Sequence, residues 1–293
     1  MAEMKDLNFA KISARIFGKD TTYSVDSGQV AKFEYFVSVD DQLPGTIYIS
    51  QMITFKNALV DFDKLSAVSY NYGKSFIPLR YMKSQKQIGW SSCKMFIPPH
   101  GDSLKEAIQT AQHNPLLMVA KIVIKQKDEN ASSKFMVSND AGYTWKDNAA
   151  EFEEMKISNE GEVILGKNSK LSFTTNQGGS WEDLNLGING HKLKYLIVGE
   201  KAAKYKFFTL IYSEEWPDVG FAVVDFTKLF QQKCKPTDYK VVTPGVGRMH
   251  SCFNGGKNFL YSKKSHDLCE GSIHSLPKIQ PVPCNCTQMD YKW

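Results

Sequence analysis

Arginine is nearly missing from this sequence: Arg15, Arg80 and Arg248 are its sole representatives among 36 basic residues, and they stand far apart. No arginine cluster is therefore available to clamp a substrate carboxylate in bidentate fashion. The formal charge is only +5, with lysines scattered among acids along the whole length. That pattern lacks the clustered basic stripe with interleaved aromatics that nucleic-acid recognition calls for, so no nucleic-acid partner is expected. Long apolar runs are missing as well. The best window, PLLMVAKIVI, is broken by Lys121 and falls well short of the roughly 18 residues that span a bilayer. The first residues, MAEMKDLNFAKISARIFGKD, lack the apolar stretch of about 7–15 residues found in a secretory signal. The sequence contains no glycine-rich phosphate loop, serine elbow or paired metal-binding histidine motif, and no cofactor is expected. Helix signals are equally scarce: GDSLKEAIQTAQHN, capped by Asp102 or Ser103, is the one convincing stretch.

What the chain does contain begins with six cysteines, unevenly placed. Cys234, Cys252, Cys269, Cys284 and Cys286 crowd into the last 60 residues, while Cys93 stands alone in GWSSCKMFIPP. Such density in a Pro-, Gly- and Lys-rich tail predicts disulfides, because some 60 residues bury too little apolar area to hold themselves together. Zinc is the competing reading, with His250, Cys252, His266, Cys269, Cys284 and Cys286 as ligands. The spacing of two close pairs, each separated by two to four residues, is not met, so no metal is expected. Cys93 reads as a buried small hydrophobe without a partner. Asn130-Ala131-Ser132 and Asn285-Cys286-Thr287 are glycosylation acceptors, usable only in a secretory compartment.

The most informative feature is an octapeptide found three times: SYNYGKSF from Ser69 to Phe76, SNDAGYTW from Ser138 to Trp145, and TTNQGGSW from Thr174 to Trp181. The shared template is Ser/Thr, any, Asp/Asn, any, Gly, any, Ser/Thr, aromatic, which describes a tight hairpin corner. Asn71, Asp140 or Asn176 turns its side-chain oxygen onto backbone amides two or three residues on. Gly73, Gly142 or Gly178 supplies a positive φ. The hydroxyl of Ser75, Thr144 or Ser180 satisfies another backbone group, and Phe76, Trp145 or Trp181 packs under the turn as the next strand begins.

Strand candidates surround these corners: TIYIS before Gln51, MVAKIVI around Val123, EVILG around Ile164, KYLIVG around Ile197, FFTLIY around Leu210 and FAVVDF around Val223. The copies begin 69 and then 36 residues apart, which suits sheet-building repeats of about 40 residues with an insertion from about Met82 to Asn114. The sequence thus predicts an all-β chain of stacked or radial repeats over residues 1–231, followed by a small cysteine-rich unit over 232–293.

The octapeptides resemble the Asp box of sialidases, related glycosidases and sortilin-type sorting receptors. The tail narrows this to one family. QQKCKPTDYKV, HSCFNGGKNFLYSKK, DLCEGS and PVPCNCTQMDYKW follow one another as in the first half of the sortilin ten-cysteine module. The resemblance covers Ser69 to Trp293 well and the first 65 residues loosely. It implies a partial multi-bladed β-propeller, cut from the family's ten blades, followed by the first half of the cysteine-rich module. It also implies pairing of Cys234 with Cys269 and of Cys252 with Cys284, leaving Cys286 unpaired. The family continues to a further cysteine where this chain runs Asp290-Tyr291-Lys292-Trp293, so a fragment is expected.

By that resemblance the chain is not an enzyme but part of a sorting-receptor ectodomain. It would bind protein or peptide cargo in the Golgi and endosome lumen or at the cell surface, and meet a membrane only through a longer product. Asp140, occupied in a turn, reads as structural rather than catalytic. Two alternatives stay open: an Asp-box glycosidase fragment, and a truncated soluble product that does not sort. The cargo-contact residues are not legible.

Overall fold

A computed structural model describes residues 31–55, 63–73, 75–83, 86–88, 92–112, 114–126, 129–147, 151–158, 161–187, 191–200, 203–213, 219–244, 252–253, 256–257, 259–265, 268–271, 276–280 and 282–285. The amino-terminal segment and Cys286 therefore lie outside the described residues.

Four sheets follow one another along the chain. Strands β1 (Ala31–Val39), β2 (Ile47–Phe55), β3 (Asp63–Ser69) and β4 (Ile77–Pro78) form the first, an antiparallel meander in chain order. Next come β5 (Arg80–Lys83), β6 (Lys86–Ile88), β7 (Cys93–Phe96), a single helical turn α1 (Leu104–Ala107), β8 (Ile108–Ala111), β9 (Asn114–Gln126), β10 (Ser132–Ser138) and β11 (Thr144–Lys146). Within this second sheet β8, β9, β10 and β11 repeat the meander. The inserted strands are added at its margins: β7 pairs with the far end of β9, and β5 runs parallel to β11. The third sheet is the meander β12 (Glu154–Ile157), β13 (Ile164–Lys167), β14 (Leu171–Thr174), β15 (Glu182–Leu184). The fourth has three strands, β16 (His191–Val198), β17 (Lys206–Ser213) and β18 (Val219–Asp225). These are the blades of a partial β-propeller, and every strand candidate named from the sequence lies in one of them.

The helix expected over GDSLKEAIQTAQHN is cut short. Ser103 does cap it, its hydroxyl accepting from the Glu106 amide at 3.2 Å, but the helix ends at Ala107. Ile108 to Ala111 leave the helix and pair with β9, where Ile108 and Ala111 are buried. Ladder hydrogen bonds and burial against a central strand outweigh a helix propensity difference of well under 1 kcal/mol per residue.

Packing between blades is almost wholly apolar and uses opposite faces of each sheet. Tyr48, Val68, Phe36 and Ile77 of the first blade meet Met118, Met136, Tyr143 and Trp145 of the second. Leu117, Val119 and Val137 on the other face of the second blade meet Met155, Ile157 and Ile164 of the third. Leu165, Leu171 and Phe173 of the third meet Leu196, Phe207 and Val224 of the fourth. The period-two alternation of a strand produces this arrangement, since successive side chains serve successive interfaces.

After the fourth blade come two small sheets: β19 (Tyr239–Val242) with β22 (Leu260–Lys263), and β20 (Cys252–Phe253), β21 (Gly256–Lys257) and β23 (Val282–Pro283). Val242 and Leu260 reach back to the core shared by the first two blades.

Candidate functional site

All three octapeptides sit between the third and fourth strands of a blade, and their hydrogen bonds are nearly superposable. The first-position hydroxyl is the hub. The Ser138 hydroxyl donates to Asp140 Oδ1 at 2.9 Å while accepting from the amides of Asp140 at 3.4 Å and Gly142 at 2.9 Å. Ser69 does the same with Asn71 and Gly73, and Thr174 with Asn176 and Gly178. The side-chain oxygen of Asn71, Asp140 or Asn176 then accepts from the amide four residues on, that of Ser75, Thr144 or Ser180, at 2.8–3.0 Å. This reach is longer than the two or three residues expected from sequence. The hydroxyls of Ser75 and Ser180 likewise differ from expectation, accepting from the side-chain amides of Asn71 and Asn176 rather than from backbone.

Two consecutive residues, not one, have positive φ: Tyr72 and Gly73, Ala141 and Gly142, Gln177 and Gly178. Such a pair is the signature of the hairpin turn whose twist matches its strands. Trp145 is fully buried and its indole N–H donates to the Gly142 carbonyl at 2.8 Å. Phe76 packs with Ile49 and Ala67, and Trp181 lies 4.5 Å from Phe152, ring centre to ring centre.

The positions that the template leaves free carry a second function. Tyr70, in the second position of the first corner, donates its hydroxyl to the carbonyl of Ala141, fourth position of the next corner, at 2.7 Å. Asn139, in the second position of that corner, donates its side-chain amide to the carbonyl of Gln177, fourth position of the third corner, at 3.2 Å. The corners thus link neighbouring blades. Tyr48 adds a bond to Ala141 at 3.1 Å, and burial holds both tyrosine hydroxyls well above their ordinary pKa, so they remain donors.

One oxygen of Asp140, Oδ1, accepts from both the Ser138 hydroxyl and the Thr144 amide. Arg80 is the one arginine among the described residues, so no clamp for an anionic sugar assembles around it there. A cleft of about 220 Å³ opens between the ends of β1 and β8, lined by Ser38, Asp40, Asp41, Tyr48, Lys105 and Thr110. Burial raises the pKa of Asp40, whose carboxylate accepts from the Gln42 and Leu43 amides, and Lys105 is paired with Asp41.

The tail is fastened to the blades. Cys234 and Cys269 are joined by a disulfide, with Cα atoms 4.9 Å apart. The same two sulfurs and Asp238 are the one metal-like grouping among the described residues, but a disulfide has no thiolate to offer. Cys284 is also disulfide-bonded, and the side chains of Cys252 and Cys286 lie outside the described ones, as do His250 and His266. Beside the disulfide, the buried Glu162 carboxylate of the third blade accepts from the Gly271 amide at 2.8 Å and stands 3.7 Å from the Lys263 ammonium. Lys204 pairs with Glu270, and Gln177 donates to the Lys263 carbonyl at 3.0 Å. Cys93 is a free, buried thiol; Asn130 and Asn285 are exposed. Among the described residues no helix is long and apolar enough to cross a membrane.

Comparison with known proteins places this geometry. Residues 190–292, which span the fourth blade and the tail, match the family model described as sortilin, neurotensin receptor 3, C-terminal. The chain is similar to the vacuolar protein sorting/targeting protein 10 of Talaromyces marneffei, 24% identical over 246 residues that make up 79% of this chain and 16% of the relative. The protein of the same name from Uncinocarpus reesii is 26% identical over 181 residues, 58% of this chain and 12% of the relative. The one from Mycosarcoma maydis is 25% identical over 175 residues, 53% of this chain and 11% of the relative. The chain thus spans about one sixth or less of the length of these relatives.

Proposed function

This chain belongs to the sortilin/Vps10 family, and from that premise we propose that it is part of a sorting-receptor ectodomain that binds protein or peptide cargo in the lumen of the Golgi and endosomes. The observation that carries this reading is the brace between tail and blades. The Glu162–Gly271 bond and the Lys204–Glu270 pair hold a cysteine-rich module, itself closed by the Cys234–Cys269 disulfide, against the third and fourth blades. A disulfide-stapled unit suits an oxidising compartment. A stack of blades pinned corner to corner suits a preorganised binding platform, which loses little entropy on capturing a ligand. The blades and the tail act as two units, 1–231 and 232–293, the second stiffening the exit from the first. Cys252 pairs with Cys284 in the same module. Catalysis is not part of this reading, since Oδ1 of Asp140, the one carboxylate of the motif, is held by its own turn.

The test is to secrete the chain behind an added signal sequence and to measure binding of vacuolar-hydrolase precursors and their processed forms by biolayer interferometry. A fluorogenic sialoside is assayed in parallel. Saturable binding of the precursors without hydrolysis is expected. Sialoside hydrolysis that disappears on replacing a carboxylate outside the three corners would overturn the reading in favour of a glycosidase.

A further inference from the structure

The cleft at the ends of β1 and β8 is flanked by two consecutive, tightly packed blades, and its polar groups are short of partners. Ser38 stands opposite Tyr48 in the β1–β2 ladder, so both side chains turn towards the second blade, where the Tyr48 hydroxyl meets Met118 and Ala141. Ser38 is 7% exposed and lines the cleft, yet its hydroxyl has no hydrogen-bond partner among the described residues. A buried hydroxyl in that condition is costly unless a group entering from outside bonds it. Half-buried Thr110, on the β8 wall, likewise presents a hydroxyl that bonds no described residue. Asp40 supplies the charge. Its two backbone bonds, from the amides of Gln42 at 2.8 Å and Leu43 at 3.1 Å, both fall on Oδ1. Burial raises its pKa, since the carboxylate is poorly hydrated there. Lys105, the ammonium within electrostatic reach of it, is paired with Asp41. Two carboxylates and one ammonium thus leave one negative charge of the lining uncompensated.

We propose that this cleft receives a primary ammonium group of bound cargo, from a lysine side chain or a peptide amino terminus, with Asp40 as counter-ion and the Ser38 and Thr110 hydroxyls as acceptors. The inference rests on the cargo-binding reading above and names the chemistry recognised at one place on that platform. An ammonium is a compact point charge with three donors, which matches one carboxylate and two hydroxyls. A guanidinium fits less well, because its planar fork calls for two free carboxylate oxygens, and Oδ1 of Asp40 already accepts two amides. The buried side chains of Tyr48 and Ile108 give the aliphatic stem behind the charge an apolar surface to lie on. The cleft volume of about 220 Å³ admits a group of that size.

The test is amide NMR of the isotopically labelled 293-residue chain, titrated at about pH 7 with Nα-acetyl-lysine methylamide, with leucinamide and with the uncharged Nα-acetyl-norleucine methylamide. Probes of this size bind in the millimolar range at best, so each is carried to about 50 mM. Saturable shifts at Ser38, Asp40 and Thr110 are expected with at least one of the charged probes and not with the norleucine analogue; which charged probe binds tells a lysine from an amino terminus. Asp40→Asn keeps the oxygen that accepts from Gln42 and Leu43 but removes the charge, and should weaken binding about tenfold or more. Ser38→Ala removes a hydroxyl that bonds nothing described, leaves the charge untouched, and should weaken binding about threefold or more. Circular dichroism verifies that both fold, and Thr110→Val replaces Ser38→Ala if that variant does not. No shift from either charged probe, equal binding of the norleucine analogue, or undiminished binding by Asp40→Asn overturns the proposal. Loss with Asp40→Asn alone, the hydroxyls making no difference, also overturns it, because general attraction to a negative surface then accounts for the shifts. Precursor binding in the interferometry assay without probe binding removes this inference and leaves the cargo reading intact. Probe binding without precursor binding keeps the ammonium site and removes the cargo reading.

Discussion

Gly142 packs against the ring edge of Tyr48 so closely that a β-carbon on it would stand 2.7 Å from Tyr48 Cε1. The corner of the second blade is therefore seated on the first blade as well as closed on itself. Gly178, at the equivalent position one blade on, leaves 3.3 Å to Val137. Both glycines have φ near +80°, so an alanine at either is strained by about 1–2 kcal/mol. Only at Gly142 is a clash with a buried ring added, at about 1–3 kcal/mol more. Gly142→Ala should consequently cost at least about 1 kcal/mol more than Gly178→Ala in urea denaturation. Equal losses would show that the turn conformation alone dictates glycine here.

The Ala141 carbonyl accepts from two hydroxyls, Tyr70 at 2.7 Å and Tyr48 at 3.1 Å. Removing either one leaves the other in place, so Tyr70→Phe and Tyr48→Phe should each cost about 1 kcal/mol. The double variant orphans a buried carbonyl and should lose about 1 kcal/mol beyond the sum. A double-mutant cycle measures this directly. Strict additivity would mean that the corners do not couple the blades.

The hairpin corners were legible because they are local: a hydroxyl, a carboxamide or carboxylate, and a glycine at fixed offsets close a turn whatever surrounds it. Strands β9, β13, β16, β17 and β18 were legible from their β-branched and aromatic runs. What joins the blades was not. Tyr70, Asn139, Ala141 and Gln177 fall at positions the template leaves free, and their partners lie in a neighbouring repeat, so no periodicity marks them. Glu162 gave no signal either, since a carboxylate buried by a segment more than a hundred residues later looks from sequence like any surface acid. Ile108 to Ala111 were misjudged for the same reason, because the deciding partner was β9 and not the local sequence. A pair of bonded residues two positions apart in consecutive corners is a signal that could be sought once the corners are aligned.

The disulfide between Cys234 and Cys269 closes a loop with a sequence separation of 35. Chain-entropy reasoning assigns it about 4 kcal/mol at 25 °C through restriction of the unfolded tail. Replacing both cysteines by serine should lower stability by that order and loosen the tail before the blades, as read by hydrogen exchange at the Gly271 amide. A loss below about 1 kcal/mol would mean that the Glu162 and Lys204 contacts hold the tail without the cross-link. Non-reducing peptide mapping of the same preparation should recover a peptide joining Cys252 to Cys284.

Asn130 lies exposed in the connection between β9 and β10, followed by exposed Ala131 and Ser132. Passage through a secretory host should place a glycan there, seen as a mobility shift that peptide N-glycosidase removes. Asn130→Gln should remove that glycan, leaving only what Asn285 carries. An unmodified Asn130 in fully secreted material would argue against a lumenal life for this surface.

Cys93 tests the core of the second blade through pH. Its thiol is 2% exposed, and burial, with the charge of Glu129 adding to it, pushes its pKa up to about 11. At pH 8 such a thiol is ionised about one part in a thousand, against roughly a quarter for an ordinary cysteine, so alkylation in the native state should be at least about a hundredfold slower. The folded value is the raised one, so its contribution to stability is full below about pH 8.5, where folded and unfolded chains both hold the proton. It is lost as the pH climbs towards 11, because the unfolded chain then releases a proton that the folded chain keeps. The stability difference between wild type and Cys93→Ala should therefore be constant up to about pH 8.5 and shrink above it. A difference that stays flat to pH 11, or rapid alkylation at pH 8 without unfolding, would place this side chain in contact with solvent and contradict the packing of β7 against β9.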